Sequence, residues 1–120
     1  MSNLKVRIDK EGAQADIAVV RIYGALDTLA AYTFQEQMQT LIGTGVYKYV
    51  INLENLEYIS SAGIGVFSGM LFEVQKYQGG IVFAHISEKI YKLFNMIGLT
   101  SIFEIKDTVE KALKEFEPDA

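Results

Sequence analysis

The chain has 120 residues, half of them hydrophobic, which predicts one folded domain over residues 1–120 and excludes a disordered tail. With 15 Asp and Glu against 11 Lys and Arg, the formal net charge is −4, and no basic cluster favours nucleic-acid binding. The absence of cysteine and the presence of a single histidine, His85, exclude disulfides, thiolate catalysis and multi-histidine metal sites, so we expect no metal and no cofactor.

Two strands begin the predicted fold. Apolar and charged residues alternate over Leu4–Ile8, as in an edge strand, and a second strand is predicted over Asp16–Ile22. The short polar connection between them favours a hairpin. A helix follows from about Thr28 to Ile42, with Asp27 or Thr28 as its N-cap.

The middle of the chain predicts a buried strand and a second helix. Tyr47–Leu53 is almost continuously apolar, which is typical of a central strand. A helix capped by Ser60 then runs to about Gln78, where Gly79 and Gly80 stop it. The side chains expected in the core of the whole chain are Ile51, Leu53, Ile64, Phe67, Leu71, Phe94 and Leu113.

The last third of the sequence predicts two more strands and two more helices. A strand over Ile81–Ile86 is followed by a helix that Ser87 caps and Gly98 closes. A short strand at Ile102–Ile105 precedes a final helix. The N-cap of that helix is predicted at Asp107, with Glu110 three residues later. The inner face of the third helix is predicted to hold Ile90, Leu93, Phe94 and Ile97.

The predicted order of elements is β-β-α-β-α-β-α-β-α. Strands separated by helices pair in parallel through right-handed crossovers, and the hairpin adds one antiparallel pair. The fold class is therefore a single α/β domain with a mixed sheet and about four helices. The N-terminus carries charges where a signal peptide is apolar. The longest uncharged run, Tyr58–Phe72, is shorter than the roughly 20 residues of a membrane span. We expect a cytoplasmic protein without a membrane segment.

The catalytic and nucleotide-binding motifs of common enzymes are incomplete in this sequence. Gly63 and Gly65 form G-x-G, but the third glycine of the dinucleotide fingerprint falls at Ser68, and no Gly-Lys-Ser/Thr is present. A serine hydrolase would need His85, which lies in an apolar stretch and is interpreted as a strand histidine. We predict no catalytic residue.

The remaining polar feature is the pair Ser60 and Ser61 at the start of the second helix. One serine fits the N-cap, which is an ordinary structural role. The first turn of a helix also offers free N–H groups and a positive dipole, so it tolerates a phosphate. Small neighbours, Ala62 and Gly63, would leave a hydroxyl open to another protein. These residues, with the loop that ends at Asp27, form the predicted partner-binding surface.

Four segments resemble bacterial anti-sigma factor antagonists, which are STAS domains. The main one runs from Asn52 to Val66 and is similar to the family signature Asp-Ser-Ser/Thr/Ala-Gly-Leu-Gly-Val. Gly24–Asp27 resembles Gly-Glu-Leu-Asp, Gln78–Gly80 resembles a Gly-Gly turn, and Lys92–Leu99 resembles Arg-Leu-Phe-…-Gly-Leu. The resemblance implies a STAS-like fold over nearly the whole chain.

The resemblance also implies a function by partner switching. In that family the unphosphorylated antagonist binds an anti-sigma factor that is also a serine kinase, which releases the sigma factor. The kinase then phosphorylates the antagonist with ATP, the complex dissociates, and a phosphatase resets the serine. The family's acceptor position is Ser61 here, and Asp27 matches an acidic residue near the acceptor. The free chain is expected to be a monomer.

Two departures from the family pattern leave an alternative open. Ser60 stands where the family has aspartate, and Ala25 stands where it has glutamate. The alternative is a STAS scaffold whose serine is not phosphorylated, such as a subunit of a larger signalling assembly or a nucleotide sensor.

Overall fold

The computed structural model describes residues 4–117 and contains one five-stranded sheet with strand order β1-β2-β3-β4-β5. The hairpin pair β1 and β2 is antiparallel and the other neighbours are parallel, which confirms the predicted mixed α/β sheet. The elements, in chain order, are β1 Lys5–Glu11, β2 Ile17–Leu26, α1 Thr28–Gly43, β3 Lys48–Ile59, α2 Ser61–Gln75, β4 Gly80–Ala84, α3 Glu88–Met96, a 3₁₀ turn Leu99–Ser101, β5 Glu104–Lys106 and α4 Val109–Lys114.

The sheet has a helical layer on each face. Residues of α1, α2 and α3 share the larger apolar core with one face of the sheet. On the other face, Ala112 of α4 packs with Val19, Val50 and Val82 from three neighbouring strands. β3 lies in the middle of the sheet and is buried on both faces, as its continuous apolar sequence predicts.

β2 and β3 are both longer than predicted. β2 extends to Leu26 and β3 extends to Ile59, and these two residues are paired at the end of the parallel register. The sequence indicated a loop after Leu53 because polar residues interrupt the apolar pattern there. Irregular pairing after Arg21 and after Gly24 lets the two strands remain hydrogen-bonded through this polar stretch.

α2 ends at Gln75, three residues before the predicted end. Gln78 adopts a left-handed backbone conformation with φ of 62°, and the N–H of Gly79 donates to the carbonyl of Val74 at 2.8 Å. A side chain at Gly79 would collide with the carbonyl oxygen of Tyr47. The glycine is therefore required by a close backbone approach at the start of β4.

Three predictions in the last third of the chain are wrong in detail. β4 ends at Ala84, and His85 lies outside it with a left-handed φ of 54°, so it is not a strand histidine. β5 begins two residues later than predicted, because the N–H groups of Ile102 and Phe103 donate back to the carbonyl of Leu99, at 3.0 and 2.9 Å, and close the 3₁₀ turn. The N-cap of α4 is Thr108 and not Asp107, since the Thr108 hydroxyl accepts from the N–H of Lys111 at 3.1 Å.

Most of the predicted core is confirmed. Five of the seven named core side chains are buried: Ile51, Leu53, Phe67, Leu71 and Phe94. Ile64 and Leu113 are only half-buried, because each packs against the edge of its core cluster, Ile64 on one face of the sheet and Leu113 on the other. Ile97 is 49% exposed, since α3 ends at Met96 and Ile97 no longer follows the helical face.

Candidate functional site

The candidate site lies at the carboxyl ends of β2 and β3, where α1 and α2 begin. Because Leu26 pairs with Ile59, the residues that follow them, Asp27 and Ser60, leave the sheet side by side. The N–H of Ser60 donates to the carbonyl of Leu26 at 2.9 Å, which ties the two strand ends together. The carboxyl edge of a parallel sheet is where α/β domains collect their binding residues.

Ser60 is a buried structural residue, with 6% of its surface exposed. Its Oγ accepts from the N–H of Gly63 at 3.1 Å and donates to the carbonyl of Leu26 at 3.0 Å. The predicted N-cap role of Ser60 is thereby confirmed. Both hydrogen-bonding functions of its hydroxyl are used within the chain.

Ser61 has the opposite environment. It is the first residue of α2 and its side chain is exposed. Ala62 is half-buried, whereas Gly63 is buried where an added Cβ would lie 2.9 Å from the side chain of Leu26. Of the four consecutive predicted residues from Ser60 to Gly63, Ser61 presents the accessible polar group.

Asp27 is the N-cap of α1. Its Oδ1 accepts from the N–H of Ala30 at 2.8 Å, and its side chain is half-buried. The sequence left the cap open between Asp27 and Thr28, and the hydrogen bond assigns it to Asp27. The carboxylate therefore stabilises the helix and also places a negative charge at the edge where Ser61 lies.

We expect Ser60→Ala to lower the free energy of unfolding by about 0.5–2 kcal/mol, the usual cost of a lost N-cap. The variant loses both the cap to Gly63 and the bond to Leu26. Urea unfolding followed by circular dichroism measures the change. Ser61→Ala is the matched control, because the structure assigns the cap to Ser60, and it should unfold within about 0.5 kcal/mol of the unsubstituted chain.

Exposed apolar side chains surround the start of these helices, and the sequence reasoning missed them. Leu29 and Tyr32 in the first two turns of α1 are 68% and 62% exposed, and Tyr58 near the end of β3 is also exposed. The signal was available in the sequence, because Leu29 and Tyr32 fall off the apolar face formed by Ala31, Phe34 and Met38.

Within residues 4–117, no three His, Cys, Asp or Glu side chains are grouped so that they could hold a metal ion. No helix in the same range has the length and apolar content needed to cross a bilayer.

Comparison with known proteins identifies the family. The family model for the STAS domain matches residues 8–112. The anti-sigma-B factor antagonist of Bacillus subtilis is 30% identical over 102 residues, which is 85% of this chain and 92% of that protein. The chain therefore belongs to the STAS domain family and, within it, to the bacterial anti-sigma factor antagonists.

Solved structures show the same fold. A putative anti-sigma factor antagonist from Thermotoga maritima superposes with a TM-score of 0.85 at 21% identity, covering 92% of each chain. The Bacillus cell-fate determinant SpoIIAA in its phosphorylated form superposes with a TM-score of 0.72 at 24% identity, covering 94% of this chain and all of that one.

Proposed function

We propose that the chain is an anti-sigma factor antagonist that acts by partner switching, with Ser61 as the switch. In its unphosphorylated form it binds an anti-sigma factor that is also a serine kinase, and the sigma factor is released. Phosphorylation of Ser61 ends that binding, and a phosphatase restores it. The chain itself supplies a substrate hydroxyl and a binding surface, and no catalytic group.

The exposure of Ser61 beside the buried Ser60 is the observation that carries this proposal. A kinase needs a hydroxyl that it can reach, and only Ser61 of the two is exposed. Its position in the first turn of α2 also suits a phosphoserine, because free N–H groups and the helix dipole favour negative charge there. The N-cap bond from Ser60 to the N–H of Gly63 spans Ser61 and holds the first turn of α2, so the position of the Ser61 backbone is defined.

The charge distribution explains how a phosphate would end binding. Residues 22–47 and 49–75, which include α1 and α2, contain no Lys or Arg. A phosphate on Ser61 would add about −1.5 to −2 charges to this face without a cation from either helix. A partner surface that fits a neutral hydroxyl would then have to bury a charge, which is strongly unfavourable.

Asp27 allows the contribution of the native negative charge to be tested. We expect Asp27→Lys to weaken kinase binding at least about tenfold, since it reverses a charge at the contact. The variant also loses the cap of α1, so Asp27→Asn is the control: asparagine is an equally good N-cap without the charge. Calorimetric titration with the kinase gives both affinities. If Asp27→Asn and Asp27→Lys bind like the unsubstituted chain, Asp27 lies outside the interface.

The proposed function is tested by release of the sigma factor. The anti-sigma factor kinase of the same genome is loaded with its sigma factor, and the antagonist is added with ADP present. Size-exclusion chromatography should show free sigma factor and a new complex of antagonist and kinase. A sigma factor that stays bound at every antagonist concentration, with every such kinase of the genome, contradicts the proposal.

The departures at Ser60 and Ala25 favour one alternative. Because the family's two acidic residues are missing here, a kinase that reads them would not recognise Ser61. The chain would then be an unphosphorylated scaffold within a signalling assembly. Binding to the kinase without phosphate transfer from ATP would support the scaffold.

A further inference from the structure

We propose that the outward face of α1 and α2 is a second contact area for the same anti-sigma factor, and that the partner meets it with a mainly apolar surface. This inference rests on the proposed function, because it names where and with what chemistry that partner binds beyond Ser61.

A groove between the two helices is the structural basis. It has a volume of about 260 Å³ and lies between Gln35 and Gln39 of α1 and Gly69 and Phe72 of α2. An added Cβ at Gly69 would meet no atom within 4 Å, so no other part of the described chain covers the groove there. The groove is therefore open to a side chain of another protein.

The groove continues the surface that carries Ser61. On α2, exposed residues recur at Ser61, Gly65, Gly69 and Phe72, which is the spacing of one helix face. At 1.5 Å per residue, Phe72 lies about 17 Å along the helix from Ser61. An interface of ordinary size, about 800 Å² on each partner, is wide enough to include both Ser61 and this groove.

The chemistry of the face indicates the kind of partner. Glu36 and Glu73 are the only charged residues within the ranges of α1 and α2, and Glu73 is paired with Lys76 at 3.0 Å. Glu73 lines the groove, and the ammonium of Lys76 lies 4.9 Å from the centre of the Phe72 ring, so the two charges beside the groove offset each other. Phe72, 66% exposed, and Tyr32 project from the rest of this face, which carries no cation of α1 or α2. Interface centres are depleted in charge and enriched in aromatic residues, whereas an ordinary solvated surface carries Lys and Glu. A matching partner surface is therefore mainly apolar.

The experiment places a charge in the groove. Gly69→Lys adds a long cation where there is space for it, and Phe72→Ala removes the exposed aromatic. Gln37→Lys adds the same charge on the other flank of α1, beside Thr33 and Thr40, and is the matched control. Thermal unfolding confirms that each variant is folded. Calorimetric titration with the anti-sigma factor kinase should show affinity about tenfold weaker or more for the two groove variants and within about twofold for Gln37→Lys.

Two results would overturn the inference while leaving the proposed function intact. One is that Gly69→Lys and Phe72→Ala bind the kinase with unchanged affinity, although Ser61→Asp no longer binds it. The other is that the unsubstituted chain sediments as a dimer, and that Gly69→Lys dissociates this dimer without changing the affinity for the kinase. The groove would then be filled by a second copy of the chain and not by the kinase. If the unsubstituted chain binds no such kinase, the proposed function and this inference fail together.

Discussion

Replacing Phe67 with alanine is expected to lower the free energy of unfolding by about 3–5 kcal/mol, because it opens a cavity at the centre of the core. Phe67 is fully buried on α2. Its ring packs edge-on against the rings of Phe34 of α1 and Phe83 of β4, with distances between ring centres of 5.7 and 5.1 Å. The variant therefore loses contacts that join two helices to the sheet. A loss of this size is a large share of the total stability of a domain of this length.

Denaturation in guanidinium measures the effect, and Phe72→Ala is the matched control. Phe72 lies on the same helix but is exposed, with a contact to the ammonium of Lys76 at 4.9 Å from the ring centre. Its replacement should cost less than about 1 kcal/mol. Equal losses for the two variants would show that the register of α2 is wrong.

Ser61→Asp is expected to weaken kinase binding more than about tenfold, while Ser61→Ala keeps binding within about twofold and accepts no phosphate. Aspartate places one negative charge where the proposed interface has a neutral hydroxyl, whereas alanine removes only that hydroxyl. Both residues are tolerated in the first turn of a helix, so neither variant should unfold.

Calorimetric titration gives the affinities, and Gln37→Asp is the control for added charge. Gln37 is exposed on α1, on the flank away from the groove between the helices. If Ser61→Asp and Gln37→Asp both bind like the unsubstituted chain, a charge at Ser61 does not control binding, and the switch lies elsewhere.

The fold could be predicted to a large extent because its signals are local. The alternating pattern of β1, the continuous apolar pattern of β3 and the serine and glycine boundaries of α3 each depend on a few neighbouring residues. The extension of β3 to Ile59 could not be predicted in this way, because a polar stretch is held in the sheet by pairing with β2, which is distant in sequence.

The positions of the candidate site residues in the fold could be predicted, but not all of their contacts. Helix-start preferences correctly assigned the cap to Ser60, and the chain order placed Asp27 at the same edge of the sheet. The bond from the Ser60 hydroxyl to the carbonyl of Leu26 depends on β2 and β3 ending together, which no local pattern shows. The exposed aromatic residues of α1 and α2 could not be placed at the site from the sequence, because helical periodicity identifies the face that is buried.

The central claim is that Ser61 is the phosphoacceptor, and mapping of the phosphate tests it most directly. The chain is incubated with the anti-sigma factor kinase of the same genome and ATP, digested, and fragmented in a mass spectrometer. We predict one phosphate, on Ser61, absent from Ser61→Ala and retained in a folded Ser60→Ala variant. A phosphate on Ser60, or none with a kinase that binds the chain and is active on another substrate, would contradict the account.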